Sequence, residues 1–308
     1  MIIYLVRRLG QAVLLIFGAI TIVFLVLRVI PGDPAALILG SQASPDELAA
    51  KRVEMGLGDP LFVQYVRHLG EVLLLDFGES WRLGGDAFAA VLDRLPATIT
   101  LAGYAFVLTL LLGFPLGVHA ARHKGRLADR AVSYFSLAGQ ALPAFWVGIM
   151  LVLIFSRTLD LLPATADGSP LALVLPAFTL ALPFLGWLAR LVRNGTLEEL
   201  GKDYVRTARS KGLTERVVFN IHVLRNTLTP VVTVLGLVVG HFIADAVIVE
   251  QVFAWPGIGS LLIESIQNRD YAVAEAAIIL VALFYIGLNL VVDLLYFALD
   301  PRVTLENV

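Results

Sequence analysis

Six stretches of this chain run without Asp, Glu, Lys or Arg for roughly the length a bilayer core demands, about 20 residues at 1.5 Å rise each. They are Leu9–Leu27, Leu95–Ala121, Ala131–Ser156, Gly168–Ala189, Asn226–Ala244 and Ala276–Val292. The last is the shortest and recruits Leu294, Leu295 and Tyr296 around Asp293. Backbone N–H and C=O groups in hydrocarbon must bond within their own segment, so these stretches are expected as helices and not as strands. Composition agrees: 58% of the residues are hydrophobic, with a mean hydropathy of +0.83, whereas soluble domains lie near 45–50% apolar. Arg7 and Arg8 precede the first apolar run as they would in a signal peptide. That run is too long for a signal core and no small-x-small site follows, so it is expected to be a retained membrane helix. The expected fold class is an all-α membrane protein with six transmembrane helices.

Positive charge sets the expected orientation, because Lys and Arg collect on the cytoplasmic side. With the N-terminus inside, fifteen of the 23 basic residues fall on one side: Arg7, Arg8, Arg122, Lys124, Arg126, Arg130, the eight from Arg190 to Arg225, and Arg302. The opposite loop, residues 31–96, holds five basic and ten acidic residues. Both termini are therefore expected to be cytoplasmic. The chain divides into a first segment with its span (1–30), an extracytoplasmic loop (31–96) and a five-helix core (97–308) with a cytoplasmic loop at 194–228. The extracytoplasmic loop carries helix signals of its own. Ser44-Pro45-Asp46-Glu47 is a capping box with proline at the first helical position, and Gly56 offers a stop after Met55. Asp59-Pro60 opens a second helix with Leu61, Tyr65, Leu69 and Val72 along one stripe. Small helices over the outer face are expected, not a separate soluble domain.

Several function classes lack their parts. A net charge of −2 speaks against nucleic acid as a partner. With no cysteine there are no disulfides, iron–sulfur clusters or thiol chemistry. No phosphate-binding G-x-x-x-x-G-K-[ST] loop occurs; the one Gly-Lys pair, Gly201-Lys202, is followed by Asp203. The five histidines are scattered, so no metal site and no catalytic residue is expected.

The most informative polar stretch is Thr196 to Pro230, a basic insert between two apolar segments. Thr196 and Glu199 have capping-box spacing, and Leu197, Leu200, Tyr204 and Ala208 recur at helical spacing. Gly201 marks a bend, Arg209 and Lys211 stand in the last turn, and Gly212 ends the helix. Thr214 caps a second helix with Val217, Val218, Ile221 and Leu224. The result is an amphipathic hairpin with eight basic and four acidic residues between Arg190 and Asn226. It is either an ordinary positive inner loop or a docking element whose apolar stripe fills a partner's groove.

The stretch DYVRTARSKG, with Gly212 followed eighteen residues later by Pro230, resembles the EAA coupling loop of ABC-importer permeases. More closely, it resembles the dipeptide/oligopeptide/nickel permease family, and the likeness covers nearly the whole chain. It includes Pro31-Gly32-Asp33-Pro34, Asp76-Phe77-Gly78-Glu79-Ser80, Arg94-Leu95-Pro96-Ala97-Thr98 and HVLRNTLTPVVTVLG from His222 to Gly236. It continues through Glu250-x-Val252-Phe253-x-Trp255-Pro256-Gly257, Asp293-Leu294-Leu295-Tyr296 and Asp300-Pro301-Arg302. The resemblance implies a type I ABC-importer permease architecture in a prokaryotic cell membrane. It also implies a homologous second permease, two ATP-binding subunits that use ATP and Mg, and an extracytoplasmic substrate-binding protein. Short peptides, nickel and other small solutes lie in the family's range. Asp203, Tyr204, Arg206, Thr207, Ala208, Lys211 and Gly212 would be the ATPase-coupling residues. The chain departs from the general pattern at Arg206-Thr207-Ala208, where Glu-Ala-Ala would stand, so an acidic contact to the ATPase is not carried over.

Charged groups at bilayer depth cost at least roughly 2.5–3.5 kcal/mol, which makes each a functional candidate. His241 and Asp245 lie one turn apart in the fifth stretch. They either tune the substrate or satisfy each other or a neighbouring helix. Gly236-x-x-x-Gly240 permits close helix approach, and Gly113-Phe114-Pro115-Leu116-Gly117 marks a kink, static or hinged. Asn289 and Asp293, with Arg302 close behind, read as a structural anchor. Trp255-Pro256-Gly257 reads as a turn, with a short helix from Ile258 to Ile266 either capping the pore or merely linking two spans; with Glu250 these join the pathway or gate candidates. A secondary transporter would favour inverted repeats and a central acid, yet no repeat is visible and Asp245 is off-centre. An intramembrane enzyme would need convergent nucleophiles or ligands, and none converge.

Overall fold

The computed structural model of the protein describes residues 2–29, 34–40 and 43–299. Pro31-Gly32-Asp33 and Asp300-Pro301-Arg302 lie outside the described residues, as do the side chains of Asp293–Tyr296. Among the described residues the chain is helical throughout, with a single isolated antiparallel bridge between Glu79 and Asp86. In chain order the helices are α1 (Ile2–Val29), α2 (Pro34–Leu39), α3 (Pro45–Glu54), α4 (Leu61–Leu73) and α5 (Ala87–Leu108). There follow α6 (Phe114–Arg122), α7 (Leu127–Ala141), α8 (Ala144–Leu151), α9 (Val174–Leu200) and α10 (Asp203–Ser210). The last are α11 (Glu215–Val217), α12 (Leu224–Val252), α13 (Ile258–Gln267) and α14 (Tyr271–Leu299).

Among the described residues four helical segments are long and apolar enough to cross a membrane: Arg7–Val26, Ala87–Arg122, Pro170–Leu200 and Tyr271–Val292. A fifth is reached if the bent pair Leu127–Ala141 and Ala144–Thr158 counts as one span. The sequence leads one to expect a single helix over Ala131–Ser156, and the structure breaks it by 108°. Pro143 is the cause. It supplies no N–H, and it drives Leu142 out of the helical region to φ −83°, ψ 133°. The Asn226–Ala244 stretch lies within the 29 residues of α12.

Two compact units emerge, one built from residues 1–97 and 256–290 and the other centred on residues 98–255. In the first, Ala87, Val91, Ile258, Leu261, Val273, Ala276 and Ala277 form one core. The capping box at Ser44 is present: the Ser44 hydroxyl accepts from the Glu47 N–H at 3.3 Å and Glu47 Oε2 accepts from the Ser44 N–H at 2.8 Å. Helix α3 then stops at Met55, with Gly56 at φ 61°. Helix α4 forms where Asp59-Pro60 announces it, but its buried line is Gln64, His68 and Val72, while Leu61 is exposed.

In the second unit α9 is the centre, packed by α6, α7, α8 and α12. Two glycines let backbones touch. A Cβ on Gly117 of α6 would stand 2.5 Å from the Ala189 carbonyl oxygen, and one on Gly186 of α9 would stand 2.7 Å from that of Ser136 in α7. Small residues at such seams allow the close approach that van der Waals packing in lipid requires. Around Gly113 the helix passes through a π-helical turn, Thr109–Gly113, that joins α5 to α6 within one continuous apolar helix, Ala87–Arg122. The seam read from Gly236-x-x-x-Gly240 is also present, since a Cβ on Gly236 would meet Val292 Cγ1 at 2.7 Å. Gly117→Val should therefore sharply reduce the folded fraction in detergent-solubilised size-exclusion profiles. Gly103→Val, where the added Cβ meets nothing within 4 Å, should leave the profile unchanged.

Candidate functional site

The polar hairpin is built differently from its expected capping pattern. Helix α9 runs unbroken to Leu200 and buries Thr196 completely, so no helix begins there. A residue inside a continuing helix has its N–H groups already bonded, and a capping hydroxyl has no orphan donor to satisfy. Gly201 is the residue that ends α9, not a bend within a helix. Lys202 then takes the extended backbone of an N-cap and Asp203 enters the first turn of α10, where a carboxylate suits the helix dipole. The end of α10 follows the sequence expectation. Gly212 sits at φ 80°, the Gly212 N–H bonds to the Arg209 carbonyl at 2.9 Å and the Leu213 N–H to that of Ala208 at 3.3 Å. That is a Schellman closure, for which glycine is favoured. Thr214 holds the N-cap backbone of α11 without a side-chain cap. The helix then passes through a π-helical turn, Val218–Val223, into α12.

The apolar stripe expected to fill a partner's groove is used by the hairpin itself. Val205 and Ala208 are buried against Val218, Phe219 and Val223, with Leu200, Tyr204, Leu224 and Val118 at the margin. The Tyr204 hydroxyl donates to Glu199 Oε2 at 2.5 Å, and Lys202 Nζ donates to Glu199 Oε1 at 2.5 Å. Burial, and then the Glu199 carboxylate, push the Tyr204 phenol above its ordinary value. Arg122 lies over the Phe219 ring at 3.9 Å and donates to Asn220 Oδ1 at 3.2 Å. What α10 presents outward is polar: Asp203, Arg206, Thr207, Ser210, Lys211 and Gly212 are all exposed. Hence Tyr204 and Ala208 hold the hairpin's shape, and the exposed set can meet a partner.

On α12, His241 and Asp245 share an exposed face with Ala244 and Ile248. Its other side buries Phe242, Ile243, Ala246 and Val249, with Phe242 stacked near Phe184 at 4.2 Å. Glu250 does not belong to the exposed face. It is fully buried, and its Oε1 accepts from the Thr98 hydroxyl at 2.6 Å. Trp255 follows a turn in which Ala254 adopts φ 48°, and the Trp255 N–H bonds to the Glu250 carbonyl at 2.8 Å. Pro256 and Gly257 begin the next element, Gly257 being the N-cap of α13, which forms over Ile258–Gln267 as expected.

Two polar clusters escaped the sequence reading. Asp129 accepts from Arg193 at 2.5 Å and 2.9 Å, and from the Gly125 N–H at 2.8 Å, tying the starts of α7 and its preceding loop to α9. Arg193 enters the sequence argument only as one of the cytoplasmic positive charges and Asp129 not at all, although an Asp just after a basic loop is a local signal. The Asp76–Ser80 motif is a clasp: Ser80 is hydrogen bonded to Asp270, both buried, and Trp81 Nε1 donates to the Arg269 carbonyl at 3.3 Å.

This helical arrangement matches the fold of solved transporter chains. An amino acid ABC transporter matches it with a TM-score of 0.53 at 17% identity, over 70% of this chain and 94% of that one. The MetNI methionine ABC transporter matches with a TM-score of 0.53 at 14% identity, over 68% and 96%. Residues 113–305 match the family of binding-protein-dependent transport system inner membrane components, and residues 1–102 match that family's N-terminal region. A putative peptide transport system permease protein of Brucella abortus (strain 2308) is 39% identical over 96% of this chain and 97% of its own. The dipeptide transport system permease protein of Escherichia coli (strain K12) is 35% identical over 97% and 98%. The chain belongs to the binding-protein-dependent transport system inner membrane component family. It is the permease subunit of an ABC importer in a bacterial inner membrane, working with ATP-binding and substrate-binding partners and not itself an ATPase.

Because Val205 is wholly buried, Val205→Asp should destabilise the hairpin by roughly 3 kcal/mol or more, the cost of an unpaired buried charge. Limited proteolysis should then cut within residues 203–223. Arg206→Ala, on the exposed side, should stay within about 0.5 kcal/mol of the parent and keep the parent pattern.

Proposed function

We propose that this chain forms half of a translocation pathway for short peptides or related small solutes, and that α10 is the surface through which ATP-binding subunits drive it. The observation that carries this reading is the split character of the hairpin. Its apolar residues lock it onto the chain's own helices, while Asp203, Arg206, Thr207 and Lys211 stand exposed on a short helix that follows α9 after the Gly201-Lys202 break. A push on the exposed side of α10 would reach the rest of the chain through its buried contacts with Val218, Phe219 and Val223. The names of the relatives support peptides as the cargo.

In the same reading α12 is a sixth span, both termini are cytoplasmic, and the chain divides functionally at residues 30 and 96. A second permease completes the pathway, ATP and Mg are used by the partner subunits, and the chain binds no cofactor. His241 and Asp245 line the pathway from α12. The Glu250–Thr98 bond and the Trp255-Pro256-Gly257 turn form its gate. The hairpin is tested by the double variant Arg206→Glu, Lys211→Glu. Reversing two exposed charges should lower peptide uptake about tenfold or more, equivalent to about 1.4 kcal/mol of docking energy, with membrane insertion unchanged. Parental uptake and parental co-purification of the ATP-binding subunits would refute the docking role.

A further inference from the structure

Helix α4 turns polar residues inward and apolar residues outward. Gln64 Nε2 donates to the carbonyls of Leu57 at 3.2 Å and Asp59 at 2.8 Å, and its Oε1 accepts from Arg28 Nε at 3.1 Å. His68 Nε2 lies 2.9 Å from Glu275 Oε1. Tyr65 Oη is 2.6 Å from Thr21 Oγ1. On a different face Phe62, Val66 and Leu73 fall within an arc of about 40° at 100° per residue. They are 75%, 51% and 78% exposed. A helix in water would place these two sets the other way round.

The depth of the helix explains the inversion. It packs on α1 from Arg28, which touches Gln64, down to Ile16 and Ile20, which cluster with Leu69 and Val72. Phe17 and Phe24 meet the Tyr65 ring between those levels. Arg28 lies just beyond the apolar window Arg7–Val26, and the other partners lie inside it. The ten residue rises from Val26 to Ile16 span about 15 Å, half of a hydrocarbon core of about 30 Å. Ile279 and Leu283, on the other side of the same cluster, belong to the apolar window Tyr271–Val292. Around the helix the charged Arg67 stays on a separate strip, paired with Asp59 at 2.5 Å. The neighbouring surface of α1 is itself apolar and exposed at Leu14, Phe17, Ile22 and Leu25, so the Phe62 face continues a lipid-facing surface.

We propose that α4 is immersed among the acyl chains of the leaflet at the Val26 end of the first span, with Phe62, Val66 and Leu73 in contact with lipid. The partner is thus bilayer hydrocarbon, and the polar line of Gln64 and His68 is what the helix keeps out of it. The absence of native cysteines makes the test direct. Phe62→Cys, Val66→Cys and Leu73→Cys would each carry a nitroxide in the purified transporter reconstituted in phosphatidylcholine–phosphatidylglycerol nanodiscs. Leu14→Cys and Glu54→Cys serve as lipid and water references. Relaxation by oxygen should dominate at all three sites, as at Leu14, over relaxation by a water-soluble nickel chelate. Chelate-dominated relaxation, as at Glu54, would overturn the proposal. So would exclusion of both reagents, which would place a protein partner on this face. Should a cysteine disturb assembly, the parent transporter photolabelled with an acyl-chain diazirine phosphatidylcholine gives a second measurement. Adducts on residues 61–74 are expected, and adducts on the first span with none on α4 would overturn it.

Discussion

The second unit depends on the contact of α9 with its neighbours at bare backbone distance. With Gly117 and Gly186 lacking side chains, α6 and α7 approach α9 until main-chain oxygens fill the space a Cβ would take. Of the candidate spans α9 is also the most enclosed, with 67% of its apolar window buried against 22–28% in the others. In lipid, where apolar side chains gain little by leaving one hydrocarbon for another, such contact is the main source of cohesion. It fixes the helix that leads directly into the polar hairpin, so the hairpin inherits its position from the most constrained rod in the unit. The Asp129–Arg193 pair strengthens that inheritance at the same end of α9. A charge pair with only 6% of the aspartate side chain exposed is costly to break, because one partner would remain buried alone.

The chain treats polar groups in two ways. Several enclosed ones meet named partners: Glu250 with Thr98, Asp270 with Ser80, Tyr204 with Glu199. Others lie on exposed faces, at Asp203, Arg206 and Lys211 on α10 and at His241 and Asp245 on α12. A protein whose surroundings are mostly hydrocarbon has little reason to present charge outward except to another protein, to solute or to water. That contrast separates scaffold from interface more sharply than charge counting does.

Much of this was legible in the chain. Apolar length gave the principal helices, the Ser44 box gave α3, and Gly212 gave the end of α10, because each signal is local and rests on backbone geometry that few residues satisfy. Failures occurred where tertiary context decides. Thr196 has the spacing of a cap but sits mid-helix, since α9 already bonds its N–H groups. The hairpin's apolar stripe was correct as a stripe, yet periodicity does not say whether it faces a partner or its own second helix. The break before Pro143 was visible as a proline, but the size of the bend was not. Asp129 and Arg193 are 64 positions apart, and no single-sequence pattern announces such a pair.

Among the described residues, π-helical turns lie inside two continuing helices, at Thr109–Gly113 and Val218–Val223. Each holds one residue more than an α-turn would, which rotates everything beyond it by about 100° about the helix axis. The turn at Val218–Val223 lies where the hairpin joins α12. The direction in which the hairpin faces around that helix is thus set by a single surplus residue. Losing it would leave hydropathy and charge almost untouched and swing the hairpin by more than a quarter turn. A one-residue insertion or deletion there would turn this element away from Val118 and Arg122, the α6 residues it now packs against.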